Sequence, residues 1–155
     1  MRPATSQIFA LFLAAALSGP ALAQAKTLQE MQHEASGFEA QQDWANAEKI
    51  YAEMPKAFPE QAEAYFWAGR FFTDRRRLKE AADYFERGLQ KNPESETAHL
   101  YLARIYIALG DMVKSDAHSK AALKIQAKIR SQYKVAVEKS PEPLPLPERK
   151  KNETT

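Results

Sequence analysis

The chain has no cysteine. Disulfides, thiolate metal sites and cysteine nucleophiles are therefore excluded. Glycine is scarce: five among 155 residues, each isolated. No Gly-rich phosphate loop and no G-x-S-x-G nucleophile turn exists. Neither sign of charge is in excess, because 22 Lys and Arg stand against 20 Asp and Glu for a formal net of +2. Nothing global points to nucleic acid. One long apolar run occurs, the ten residues Ile8–Leu17, too short to span a bilayer. What remains is 45% hydrophobic and 27% charged, the balance of a soluble globular protein of one small domain.

The N-terminus has the layout of a secretory signal peptide over residues 1–23. Arg2 is its positive region, IFALFLAAAL its apolar region, and Ser18-Gly19-Pro20 breaks the helix. Ala21-Leu22-Ala23 is a cleavage pattern, and Ala23-Gln24-Ala25 a second one. No cysteine follows to take a lipid. The expectation is an exported protein, most simply of a bacterial periplasm.

A period runs through the middle of the chain. Pro59 and Pro93, Ala47 and Ala81, Tyr51 and Phe85, and Phe38 and Phe72 each stand 34 residues apart. Tyr106 lies 34 beyond Phe72, Ala103 beyond Gly69 and Leu123 beyond Leu89. The clearest unit is AEAYFWAGRFFTDRRRLKEAADYFERGLQKNP, residues 62–93. Its spacing predicts a helix, a turn and a second helix. Gly69 and Ala81 fall where the two helices cross, Tyr65, Phe72 and Phe85 fill the space around them, and Pro93 ends the second helix. With Ala68 and Gly88, these positions make the unit resemble a tetratricopeptide repeat.

That resemblance implies an all-α solenoid of three repeats, about 28–61, 62–95 and 96–127. In the first, Leu28, Met31, Ala35 and Phe38 mark the inner face of one helix; Trp44 and Ala47 are expected to pack inward from the next. The turn of the second holds Asp74-Arg75-Arg76-Arg77, expected to be solvated. The third departs from the pattern: Ser115 replaces the small residue, Ser119 the aromatic and Ala127 the proline. Nothing at Ala127 forces a stop. No Gly or Pro occurs from Met112 to Lys139, where Ile125, Ile129, Tyr133 and Val137 form one apolar stripe. Two alternatives follow. Either the helix bends near Ala127 and caps the array, which the family's habit favours, or it runs on with the stripe exposed. The solenoid domain is assigned to residues 24–139. Residues 140–155 form a tail in which Pro141, Pro143, Pro145 and Pro147 forbid a helix.

Catalytic and metal constellations fail on geometry. Two Glu-x-x-His pairs exist, Glu30/His33 and Glu96/His99, a spacing used by di-metal bundles. They fall in the first and third repeats, about 20 Å apart with a helix between them. His118 is read as a lone residue. The expectation is a protein with no chemistry of its own, no metal and no cofactor.

The resemblance also implies a concave face lined by the first helix of each repeat. Its candidate residues are Gln29, Gln32, Ser36 and Glu39, then Glu63, Phe66, Arg70 and Thr73, then Thr97, Leu100, Arg104 and Ile107. Arg70 and Arg104 are one repeat apart. With Phe66, Thr73, Leu100 and Ile107 they suit a protein or peptide partner carrying carboxylates beside an apolar side chain. Charge is also split along the chain. Residues 24–63 carry three Lys and eight acidic residues, net −5, whereas residues 112–139 carry seven basic and two acidic, net +5. Three further contacts are thus in play: self-association end to end, self-association through the Ile125/Ile129/Tyr133/Val137 stripe, and a basic helix on an anionic membrane surface.

Overall fold

The computed structural model describes residues 26–139, so the signal-peptide and tail assignments lie outside the described residues. Six helices follow one another: α1 Leu28–Ala40, α2 Trp44–Ala57, α3 Ala62–Asp74, α4 Leu78–Lys91, α5 Glu96–Leu109 and α6 Met112–Lys139. Among the described residues there is no strand. The main packing joins each helix to its neighbours in the chain. This is the all-α array of helical hairpins that the period implies.

Local chemistry sets the helix ends. Thr27 opens α1 with a capping box: its hydroxyl oxygen accepts from the Glu30 amide, and the Glu30 carboxylate accepts from the Thr27 amide. Asp43 and Ser95 cap α2 and α5 by accepting from the third amide onward. Each hairpin then turns in the same way. Gln42, Arg76 and Gly110 stand one repeat apart and all have positive φ, at 58°, 61° and 81°. Their amides donate to Glu39, Thr73 and Ile107, and the next amide reaches back to Phe38, Phe72 and Tyr106 at 2.9 Å in every case. Only Gly110 is the residue type that this left-handed backbone favours.

The core is aromatic and small by turns. Tyr51, Phe71, Phe72 and Phe85 are fully buried, with Ala35, Ala47, Ala68 and Ala81 between them. A Cβ at Gly69 would stand 2.8 Å from the Phe85 ring, and one at Gly88 would overlap Phe66. Those two absences let α3 and α4 approach closely. Repeats join through rings as well: Tyr51 of α2 stacks on Phe71 of α3 at 4.9 Å, and Phe85 of α4 on Tyr101 of α5 at 4.9 Å.

Two expectations need correction. Trp44 does not pack inward; it is 38% exposed at the start of α2, and the Arg75 guanidinium lies 4.1 Å over its ring. Trp44 is the first residue of α2, directly after the Asp43 cap. The arginine-rich turn is likewise not simply solvated. Arg77 bonds Glu80 beside it and Glu48 on α2, and it covers the Phe72 ring at 4.5 Å. At the chain end, of the two courses open to the last helix, the continuous one is found. No bend occurs near Ala127, and α6 is one helix of 28 residues. With no proline there to remove an amide, the helical ladder simply continues.

The left-handed turn gives a stability prediction. An L-residue there costs about 1–2 kcal/mol, of which glycine's extra unfolded-state freedom takes back about 0.5–1 kcal/mol. Gln42→Gly is expected to raise unfolding stability by about 0.5–1 kcal/mol in urea titrations. No change or a loss would show that the Gln42 side chain relieves the strain.

Candidate protein-binding site

The face formed by the first helices carries the predicted residues at repeating positions, but in unlike states. Arg70 on α3 and Arg104 on α5 are both exposed. Neither forms an ion pair among the described residues. Leu100 and Ile107 are 43% and 56% exposed on α5. Thr73 is half-buried, and its hydroxyl donates to the Gly69 carbonyl at 2.8 Å, so only its oxygen remains available. Phe66 differs from the expectation: it is half-buried, with its ring over Gly88 and 6.1 Å from Phe85. It is committed to the α3–α4 seam because Gly88 offers no side chain to hold it off. The freely exposed apolar surface thus comes from α5.

The first repeat contributes differently. Gln32 donates to Ser36 at 2.9 Å, and the Tyr51 hydroxyl donates to Glu39 at 3.3 Å. Burial pushes the Tyr51 hydroxyl up, and the Arg70 charge is near enough to pull it partly back. The face grades from hydrogen-bonded polar groups on α1 to exposed cations and apolar side chains on α3 and α5.

A second cluster lies at the α5–α6 seam. His118 is not alone: its Nδ1 lies 2.9 Å from His99 Nδ1. His99 Nε2 lies 3.2 Å from the Pro93 carbonyl, which can only accept, so that nitrogen carries a proton. In a neutral His99 the Nδ1 is then an acceptor, and His118 Nδ1–H donates to it. Tyr106 stacks on His118 at 5.8 Å and donates to Glu86, while Lys114 lies 4.7 Å over the Tyr106 ring. Subtracting one repeat would have found the pair. Tyr65 and Tyr84 hold the equivalent positions, and the Tyr65 hydroxyl donates to the Pro59 carbonyl in the same way, at 3.1 Å. In that repeat Arg87 stands 5.1 Å and 5.9 Å over the two tyrosine rings. Its counterpart here is Ala121, which leaves the two imidazoles room to meet.

The third region is the end of α6. Ile125 is half-buried, and every residue from Gln126 to Lys139 is exposed. Ile129 and Tyr133 are each 53% exposed and Val137 is 41% exposed. No helix among the described residues is long and apolar enough to cross a membrane. No group of three or more His, Cys, Asp or Glu among them is placed to hold a metal ion.

Two family models, both described as tetratricopeptide repeat, match residues 34–96 and 72–136. The chain belongs to the tetratricopeptide repeat family. As a member it is a protein–protein interaction module of the α-solenoid type. Solved structures with the same fold include one titled MamA MSR-1 C2, at 20% identity and a TM-score of 0.58, covering 66% of this chain and 59% of that one. Another is MamA 41-end from Desulfovibrio magneticus RS-1, at 14% identity and a TM-score of 0.59, covering 66% and 58%. The chain thus spans less than two thirds of these two structures. No curated protein matches it.

The histidine pair makes the fold sensitive to acid. Burial, then the neighbouring His99, pushes His118 below its ordinary value of 6.5; Glu86 opposes this and Lys114 adds to it. The unfolded chain therefore binds the proton more readily. Neutral His118 stabilises the fold above about pH 6.5, and that stabilisation is lost as pH falls through its lower folded value. The urea midpoint is expected to drop between about pH 7.5 and about pH 5. The drop should shrink in His118→Tyr, which installs the side chain of the second repeat. An equal drop in both proteins would place the sensitive group elsewhere.

Proposed function

We propose that this chain is an exported scaffold, most simply of a bacterial periplasm, whose first-helix face holds an extended segment of another protein. The segment carries carboxylates spaced to meet Arg70 and Arg104, with an apolar side chain between Leu100 and Ile107. One observation carries this reading. Two arginines at the same place in successive repeats are exposed and unpaired among the described residues, although the chain holds 20 acidic residues. A guanidinium offers two parallel N–H donors to a carboxylate, so a pair of them reads both charge and spacing. The export part rests on Ile8–Leu17 and the Ala-x-Ala patterns alone. Self-association is the second reading, supported by the exposed α6 stripe.

The test is capture from periplasmic extract by protein from Gln24 onward, beside Arg70→Glu/Arg104→Glu. Circular dichroism first establishes that the variant is folded. A partner held by the parent is expected to bind the variant at least about tenfold more weakly. Equal recovery by both proteins would move recognition off this face.

A further inference from the structure

We infer that the facing imidazoles of His99 and His118 are a latch that seats α6 on α5, and that acid opens this seam while the first two repeats stay folded. Neither the arginine-bearing face nor the exposed end of α6 takes part.

The seat of α6 is poor in apolar anchors. In the second repeat α4 turns Ala81, Tyr84, Phe85 and Gly88 inward, with Phe85 fully buried. One repeat later the same places hold Ser115, His118, Ser119 and Ala122. Ser119 thus stands where the central aromatic should be, and Ile125 is the one large aliphatic side chain added below it, half-buried. Connectivity weakens the seat further. α4 is packed on both α3 and α5, whereas α6 has its main packing on α5 alone. It can leave without parting any other pair of helices. The ties beyond the seat, Gln126 to Glu96 and Lys128 to Glu94, are exposed and hold little.

At the centre of this seat lies the histidine pair. Among the described residues its 2.9 Å contact is the shortest side-chain hydrogen bond between α5 and α6. His99, Leu102, Ala103 and Tyr106 share one face of α5 by spacing, and both rings of that face meet His118. Leu102 and Tyr106 are buried while α6 is in place.

Protons act on this bond directly. His99 Nε2 already carries the proton that it gives to the Pro93 carbonyl, so an added one goes to Nδ1. That nitrogen is the acceptor of the pair, and N–H would then face N–H across 2.9 Å. On His118 an added proton goes to Nε2 and leaves a cation half-buried in the seam, stacked against Tyr106. Glu86 of α4 favours that cation; Lys114 of α6 and a charged His99 of α5 oppose it. The first proton is therefore costly, and the second breaks the bond. In the second repeat Tyr65 and Tyr84 hold the two places and stay neutral throughout the acid range. The opened seam takes protons more readily than the closed one, so the latch is shut above about pH 6.5 and loosens as pH falls.

Hydrogen exchange on the full chain, purified as the expressing cell processes it, tests this. Protection is read relative to the unfolded rate at the same pH. At pH 7.5 residues 115–125 are expected to be less protected than α3 and α4, the mark of a unit that opens by itself. By about pH 5 their protection should fall at least about threefold and approach none, with α3 and α4 still protected. Trp44 and Trp67 lie in the first two repeats, so unchanged tryptophan emission confirms that those remain folded. In His99→Tyr/His118→Tyr the acid loss at 115–125 should disappear. His118→Gln serves if that variant does not fold, since its amide can still donate to His99 Nδ1 and does not titrate; there the loss should shrink. Equal protection in α3, α4 and α6 at both pH values would overturn the latch, because the chain would then open only as one unit. Protection at 115–125 that ignores pH, or an acid loss that the variants retain, would overturn it equally.

Discussion

The structure depends on how closely two short helices can lie. Phe85 sits against the bare Cα of Gly69, where an added methyl would stand 2.8 Å from its ring. Proteins pack their interiors at crystal-like density, so this one missing carbon fixes the distance between α3 and α4. The ring then has a second face to offer, and Tyr101 stacks on it from the next repeat at 4.9 Å. One aromatic thus sets the spacing inside a repeat and the joint to its successor. A repeat earlier the joint is also aromatic, with Tyr51 stacked on Phe71.

Much of this was legible in the chain because it is periodic. A residue that recurs after 34 positions occupies the same place in a stack, so a single well-matched unit at 62–93 could stand for its neighbours. The helix–turn–helix order and the buried aromatics follow from it. Illegibility began where a position departs from its counterparts. Trp44 looks like core by residue type, yet it is exposed at the start of α2 and lies under Arg75. His118 looks solitary because its partner lies 19 positions away on the facing helix. The course of α6 was open because the sequence showed an absent stop signal, and an absence does not say how far a helix continues.

The candidate site was less legible than the fold. Repeat position assigned a common face to all the first helices, but each side chain's availability is decided by its neighbours. Phe66 was counted as free surface, and the lack of a side chain at Gly88 drew it into the seam. Thr73 spends its proton on its own helix. Arg70 and Arg104 kept their freedom because no carboxylate among the described residues lies close enough to claim them.

Stacking by sequential neighbours has a consequence for how such a chain can change length. Its units are held mainly by the one before and the one after, so stability accumulates repeat by repeat. Duplicating residues 62–95 would keep the Tyr51–Phe71 and Phe85–Tyr101 joints at the two outer edges and add one new joint between the copies, where Phe85 meets Trp67, the counterpart of Tyr101. The capped start and the projecting end would both survive the insertion. Only the separation and the rotation between them would alter. The array is in that sense a ruler of adjustable length, able to reposition one contact surface against another while the chemistry of each stays fixed.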